Sequence, residues 1–318
     1  MLTFRYIVLQ SSLVIVVLVP ASASAQNYPN KVIRIATAAV GSANDLVARI
    51  IAQELTRSLG QQVIVENRGG LAPEIVARAS PDGYTLLFYG SSVWLLPLMR
   101  HENYDPVVDL APVTLAVNSP NVVVVHPSLP VKSIKELIAL AKARPGELNY
   151  AAGTLGASPH LSTELFKAMA GINVIRVAYK GTGPSVLALI AGEVHMMVAG
   201  LGSVAPHMAS GKLRALAVTS AERSKLTPEL ATVAASGVPG YEATSLIGMF
   251  APAKTSTVII SRLQQETLRG LNRPEIKEIL FRNGIEAIGG SPEDFASTIK
   301  TDMVMLGKVI REAGIRAD

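Results

Sequence analysis

Two hydrophobic periods alternate along the chain. Short runs such as KVIRIA at residues 31–36, QVIVE at 62–66 and YTLLFY at 84–89 have the length and apolar content of strands. Between the first two, Leu46, Val47, Ile50, Ile51 and Leu55 recur at helical spacing, and a second helix is expected near residues 73–79. Ser42-Ala43-Asn44-Asp45 has the spacing of a capping box that opens the first helix. Asn67-Arg68-Gly69-Gly70 and Pro81-Asp82-Gly83 supply the turns. The order β-α-β-α-β predicts a parallel sheet with helices on its faces and a ligand crevice at the carboxyl ends of its strands.

The nearly continuous apolar run at 121–125 fits a strand buried on both faces or one that crosses between lobes. A helix over 134–143 starts at Ser133 and stops at Pro145-Gly146. Strands at 148–151, 174–178, 194–198 and 213–218, with helices between them, repeat the first architecture. The strand at 246–250 is expected to return the chain to the first lobe. Helices at 258–271 and 274–283, a strand near 286–288 and a last helix capped by Ser291 complete that lobe. The expected fold is α/β and two-lobed, each lobe a mainly parallel sheet flanked by helices. Residues 26–123 plus 247–318 form lobe 1, and residues 124–246 form lobe 2.

The stretch YAAGTLGASPHLSTELFKAMAG at 150–171 stands out, as does YKGTGPS at 179–185 one strand later. In the first, a small-residue turn meets a helix with Ser158 expected at the N-cap and Pro159 at N1. In the second, Gly181, Thr182 and Gly183 run into Pro184. Neither turn carries an acid. Free backbone N–H groups and the positive ends of two helix dipoles would form a socket for a carboxylate or other anion. Uncharged dipoles favour reversible capture over chemistry.

Composition narrows the class. Residues 1–25 read as an export signal, with Arg5 in the n-region, an apolar stretch from Ile7 to Val19 and small residues before a cleavage near Ala25. The apolar stretch is short for a membrane span. The chain contains no cysteine, so neither a disulfide nor a lipid-bearing cysteine is expected. A freely diffusing periplasmic protein follows. The formal charge of +5 comes from scattered residues with no block of like sign, so nucleic acid is not an expected partner.

Candidate catalytic motifs fail on inspection. Gly200-Leu201-Gly202-Ser203-Val204-Ala205 fits a dinucleotide turn, with Glu222 beyond the next strand. The helix after it, however, is short and contains Pro206. The sequence has no G-x-S-x-G elbow, HExxH helix or P-loop. His101, His126, His160, His195 and His207 are dispersed without metal-ligand spacing, so no cofactor or metal is expected. His160 sits close to the start of the organising helix, where packing is the expected role. Ser91 and Ser92, after the strand at 84–89, read equally well as ligand contacts and as helix caps.

At these positions the chain resembles the Bug family, the periplasmic solute-binding receptors of tripartite tricarboxylate transporters. The resemblance is carried by TAAVGSANDLVARIIAQEL from Thr37, VIVENR from Val63, SPDGYTLL from Ser80 and YDPVVDLAPVT from Tyr104. It continues through SPHLSTELFKAMAG from Ser158, YKG from Tyr179 and GKLRALAVTSAERS from Gly211. It implies a periplasmic binding protein fold of type II-like plan that closes on a small organic anion, commonly a carboxylate, and delivers it to membrane transporter subunits. Carried over by position, it implies ligand contacts at Ala39, Val40, Gly41, Ser42, Ser91 and Ser92 in one lobe. In the other it implies contacts at Thr154, Ala157, Ser158, Tyr179, Lys180 and Gly181. A monomer without enzymatic activity is expected.

The chain departs from the family pattern at three places. Val40-Gly41 replaces a glycine pair, the loop after Arg68 is reduced to Gly69-Gly70-Leu71-Ala72, and Ala199-Gly200 stands where an acid is common. With no acid in the site loops except the cap Asp45, the expected ligand has no essential ammonium group. An exported enzyme on the same scaffold and a ligand-presenting sensor subunit are the alternatives.

Overall fold

The computed structural model describes residues 28–153, 156–312 and 314–316. The export signal expected at 1–25 and the expected ligand contact Thr154 lie outside the described residues.

The first lobe opens as the alternation predicts, with β1 (Ile33–Thr37), α1 (Ala43–Leu59), β2 (Val63–Asn67), α2 (Ala72–Ala77), β3 (Thr85–Gly90) and the single-turn α3 (Ser92–Leu95). β1 pairs in parallel with both β2 and β3. The shortened loop after Arg68 is a tight turn at Gly69–Leu71 leading into α2, and Tyr89 donates a hydrogen bond to the Gly69 carbonyl at 3.1 Å.

The next strand, β4 (Leu110–Val125), is 16 residues long and extends well before the five residues legible in the sequence. Its first part, LAPVTLAVNSP, contains Pro112 and Pro120, residues normally kept out of strand interiors. The register against β9 (Thr244–Pro252) shifts between Pro112 and Thr114, so an irregularity absorbs the first proline. Pro120 is the last residue of β4 paired with β9, and Asn121–Val125 pair instead with strands of the second lobe.

That lobe contains α4 (Ile134–Ala143), β5 (Asn149–Ala152), α5 (Ser158–Ala170), β6 (Ile175–Ala178), α6 (Thr182–Ile190), β7 (Met196–Gly200), α7 (Leu201–Ala209) and β8 (Arg214–Val218). β5 is parallel to β6 and β7, while β4 is antiparallel to β7 and β8. β9 then returns to the first lobe, followed by α8 (Thr257–Leu271), α9 (Pro274–Arg282), β10 (Glu286–Ala287) and α10 (Pro292–Glu312). The strand order is β2-β1-β3-β9-β4-β7-β5-β6, with β8 and β10 also on β4. Each lobe therefore has the expected parallel part, together with an antiparallel part from β4 or β9. A strand that leaves a lobe and one that returns must run in opposite directions, and here they pair along their length.

The final helix is held on both sides of its start. Ser291 Oγ accepts from the Asp294 N–H at 3.0 Å, and Asp294 Oδ2 accepts from the Ser291 N–H at 3.3 Å, which is the expected capping box. Phe295 then packs 4.8 Å from Phe250 and 5.9 Å from Trp94, measured between ring centroids. Its ring lies directly over Gly248, where an added Cβ would sit 2.4 Å from Phe295 Cζ. α10 thus clamps β9 through an aromatic cluster that leaves room only for glycine beneath it.

Candidate functional site

The loops predicted to hold ligand gather into one group in each lobe. In the second, β5 and β6 are adjacent and in register from Asn149↔Ile175 to Ala152↔Ala178, so α5 and α6 start side by side. A Cβ on Gly153 would meet the Gly181 backbone at 2.9 Å, so the two turns touch. Gly181 has φ +104° and is the N-cap of α6. Neither helix has a side-chain cap, so the first N–H groups of each, at Ser158, His160, Thr182 and Gly183, have no helical partner. Pro159 and Pro184 have no N–H to offer.

The start of α5 differs from expectation by one residue. Ala157, with ψ 155°, is the N-cap and Ser158 is the first helical residue. The Ser158 hydroxyl is drawn instead to the crossing strands, accepting from Asn121 Nδ2 at 3.2 Å and donating to the Thr244 carbonyl at 3.3 Å. His160 reaches back in its place, and its Nδ1 accepts from the Gly156 N–H at 3.2 Å. Burial, reinforced by the charge of Arg176, pushes the His160 pKa down to about 4. The ring is neutral at physiological pH and serves the turn structurally.

The first lobe has already filled most of its own socket. Asp45 Oδ2 accepts from the Gly41 N–H at 2.9 Å, Asp45 Oδ1 accepts from Asn67 Nδ2 at 2.8 Å, and Arg49 pairs with the same carboxylate at 2.9 Å. Burial works to raise the Asp45 pKa, but these hydrogen bonds outweigh it and hold the carboxyl below its ordinary value. Ser42 Oγ accepts from the Asp45 N–H at 3.2 Å, so Ser42 is a cap as well. Ala39, Val40 and Gly41 are exposed at this turn. The left-handed position is Gly41, with φ +78°, so the valine at 40 is accommodated without strain. The β1 and β3 loops are neighbours, since a Cβ on Gly90 would lie 3.4 Å from Asn44 Oδ1.

Ser91 and Ser158 are brought to one cavity of about 370 Å³, which also takes in Leu95, Asn118, Ser162, Glu242, Thr244 and the α10 residues Thr298 and Asp302. Ser92 is half-buried beside it in sequence but does not line it. Tyr179 is half-buried, with its hydroxyl 3.4 Å from Glu193, and Lys180 is exposed. The two lobes also meet where Gly156 approaches Leu96 and Met99, a Cβ there falling 2.7 Å from Leu96 Cδ2.

Asn121, fully buried, was missed by the sequence reading. Its Nδ2 donates to Ser158 and Ser162, its Oδ1 accepts from Ser245 at 3.3 Å, and its backbone N–H donates to Thr219 Oγ1 at 3.1 Å. It ties both crossing strands to α5 at the point where β4 changes partners. An asparagine opening an otherwise apolar run was the available signal, because a buried amide requires partners. The dinucleotide-like turn has a structural explanation. A Cβ on Gly202 would lie 2.3 Å from the Asn283 carbonyl oxygen, so α7 begins flush against the end of α9. Among the described residues no group of acids, histidines or cysteines could hold a metal.

Two α/β lobes joined by two crossing strands, with loops gathered at the strand ends of each, define a two-lobed solute-binding protein of the periplasmic type. A family model described as the tripartite tricarboxylate transporter family receptor matches residues 47–315, and the chain belongs to that family. It is 35% identical over 306 residues to Protein BugT of Bordetella pertussis, covering 94% of each chain. The fold matches R. palustris Rpa4515 with adipate at a TM-score of 0.81 and 35% identity, over 91% of this chain and 99% of that one. It matches MatC from Rhodopseudomonas palustris with bound malate at 0.78 and 26% identity, over 89% and 100%. The Bug-family resemblance drawn from the motifs is borne out.

Proposed function

We propose that the protein captures a small carboxylate between its lobes in the periplasm and hands it to membrane transporter subunits. The observation that carries this reading is the pair of uncapped helix starts at α5 and α6, in contact through Gly153 and Gly181. Oriented N–H groups at a helix start hold an anion without a formal counter-charge. Adipate and malate in the relatives support a carboxylate as the ligand class. The lobes are taken as 26–123 plus 247–318 and 124–246, in keeping with the change of strand partners after Pro120. Export with cleavage near Ala25, a monomeric state and the lack of enzymatic activity belong to the same reading.

The second-lobe contacts Ala157, Tyr179, Lys180 and Gly181 and the first-lobe turn Ala39–Ser42 are the proposed walls, with Ser91 between them. Thermal-shift screening against mono-, di- and tricarboxylates tests the reading. A native-state ligand at 100 times its Kd adds roughly 2.7 kcal/mol of stability. Turnover of the bound acid, or no response to any carboxylate, would refute it.

A further inference from the structure

The two lobes present unlike surfaces to the space between them. β1, β2 and β3 run in the same sense as β4, because β3 and β4 are each antiparallel to β9, and β4 leads from the first lobe into the second. β5, β6 and β7 run the opposite way, since β7 is antiparallel to β4. The loops at the carboxyl ends of each set of strands are therefore directed at the other lobe.

In the second lobe these loops carry the uncapped starts of α5 and α6, and the exposed Lys180 stands one residue before Gly181. In the first lobe the charges are matched among themselves. Asp45 accepts the Gly41 N–H at the start of α1 and pairs with Arg49 at 2.9 Å, while Arg68 pairs with Glu66 at 2.8 Å. Asn44, Ser91 and Ser92 add polar groups without charge. Beside them stand two aliphatic side chains open to solvent, Val40 after β1 at 74% exposure and Leu71 after β2 at 64%. Their turns adjoin, the Arg68 N–H donating to the Thr37 carbonyl and Asn67 Nδ2 to the Ala38 carbonyl, each at 2.9 Å.

We propose that the ligand is a monocarboxylate with a hydrocarbon body, its carboxylate at α5 and α6 and its apolar end covered by Val40 and Leu71. This rests on the function proposed above and narrows its ligand class. Hydrocarbon laid against the two side chains removes apolar surface from water on both partners. A second carboxylate at the same place would meet Asp45 at the α1 start and find the guanidinium groups of Arg49 and Arg68 already engaged. Taking a charge out of water there without a partner is unfavourable. Val40 and Leu71 thus set the choice between mono- and dicarboxylates.

The test is calorimetric titration of the full protein at pH 7.5 with propanoate, butanoate, pentanoate and hexanoate. Adipate completes the set, with the length of hexanoate and a second carboxylate in place of the terminal methyl. Affinity should rise about fourfold for each methylene that becomes buried against the two side chains. Hexanoate should bind at least tenfold more tightly than adipate. In Val40→Ser/Leu71→Ser that preference should fall at least fivefold, and in Val40→Lys, which brings a cation to the same turn, it should reverse toward adipate. Both positions are exposed, so the substitutions spare the fold, and far-UV circular dichroism checks this. Adipate binding as tightly as hexanoate, a flat chain-length series, or an unaltered preference in both folded variants would overturn this inference and leave the carboxylate reading standing. Binding of no carboxylate at all would overturn both.

Discussion

His160 and Asp302 should titrate against each other during acid unfolding. His160 falls from an ordinary 6.5 to about 4 in the folded protein, chiefly through burial. Between those values the unfolded chain binds the proton and the folded one does not, so stability is lost as pH falls from 6.5 toward 4. Asp302 rises from 3.8 to about 6, again chiefly through burial. Its folded form holds a proton that the unfolded chain releases, so this contribution is fully present below 3.8 and is lost as pH rises through 6. Each interval is worth about 3 kcal/mol at 1.36 kcal/mol per pH unit, with opposite signs. The wild-type protein should therefore show almost no net slope from this pair between pH 6 and 4. His160→Asn keeps an acceptor for the Gly156 N–H while removing the titration. Relative to wild type, it should gain about 3 kcal/mol on going from pH 7 to pH 4. Asp302→Asn should lose about as much over the same range. Urea unfolding followed by circular dichroism at pH 7, 6, 5 and 4 measures all three proteins, with the other carboxylates common to each. Parallel pH profiles for the three would refute the assignment of these shifts.

Thr182→Asp places a carboxylate on the exposed first residue of α6, where the helix dipole favours it by about 0.3–1 kcal/mol. It should cost at least tenfold in carboxylate affinity by calorimetry while thermal stability holds, and unchanged affinity would remove α6 from the site. Gly248→Ala drives a methyl into the Phe295 ring and should destabilise the fold by about 1–3 kcal/mol in urea titration. Asn121→Ala leaves the Ser245 hydroxyl without its acceptor and removes the donor to Ser158 and Ser162, and should cost about 1–3 kcal/mol. Lys180→Ala, at an exposed side chain, should change affinity less than threefold, with the difference fading as salt is raised.

The helix starts were the most legible part of the sequence. Ser42 with Asp45, Ser133, and Ser291 with Asp294 all cap as their spacing requires, because a cap is a local contest among a few adjacent groups. Ser158 failed the same test because Asn121 and Thr244, distant in sequence, compete for its hydroxyl. The parallel strands of both lobes followed from period and turn signals. The first two thirds of β4 did not, since its prolines argue against a strand unless a long antiparallel partner is known in advance. The loops of the site were visible as small-residue turns, whereas its α10 wall was not. Asp302 lies in α10, 208 residues from Trp94 along the chain, and only the tertiary fold brings the two together.

Where Gly202 meets Asn283 and Gly284, two main chains press together with no side chain to cushion them. If the halves rock while this junction is kept, it becomes a fulcrum. It joins the start of α7, in the second lobe, to the turn between α9 and β10, in the first. With a fulcrum of bare backbone there, the two glycines are fixed by main-chain contact and not by the solute, and a side chain at either would wedge the halves apart.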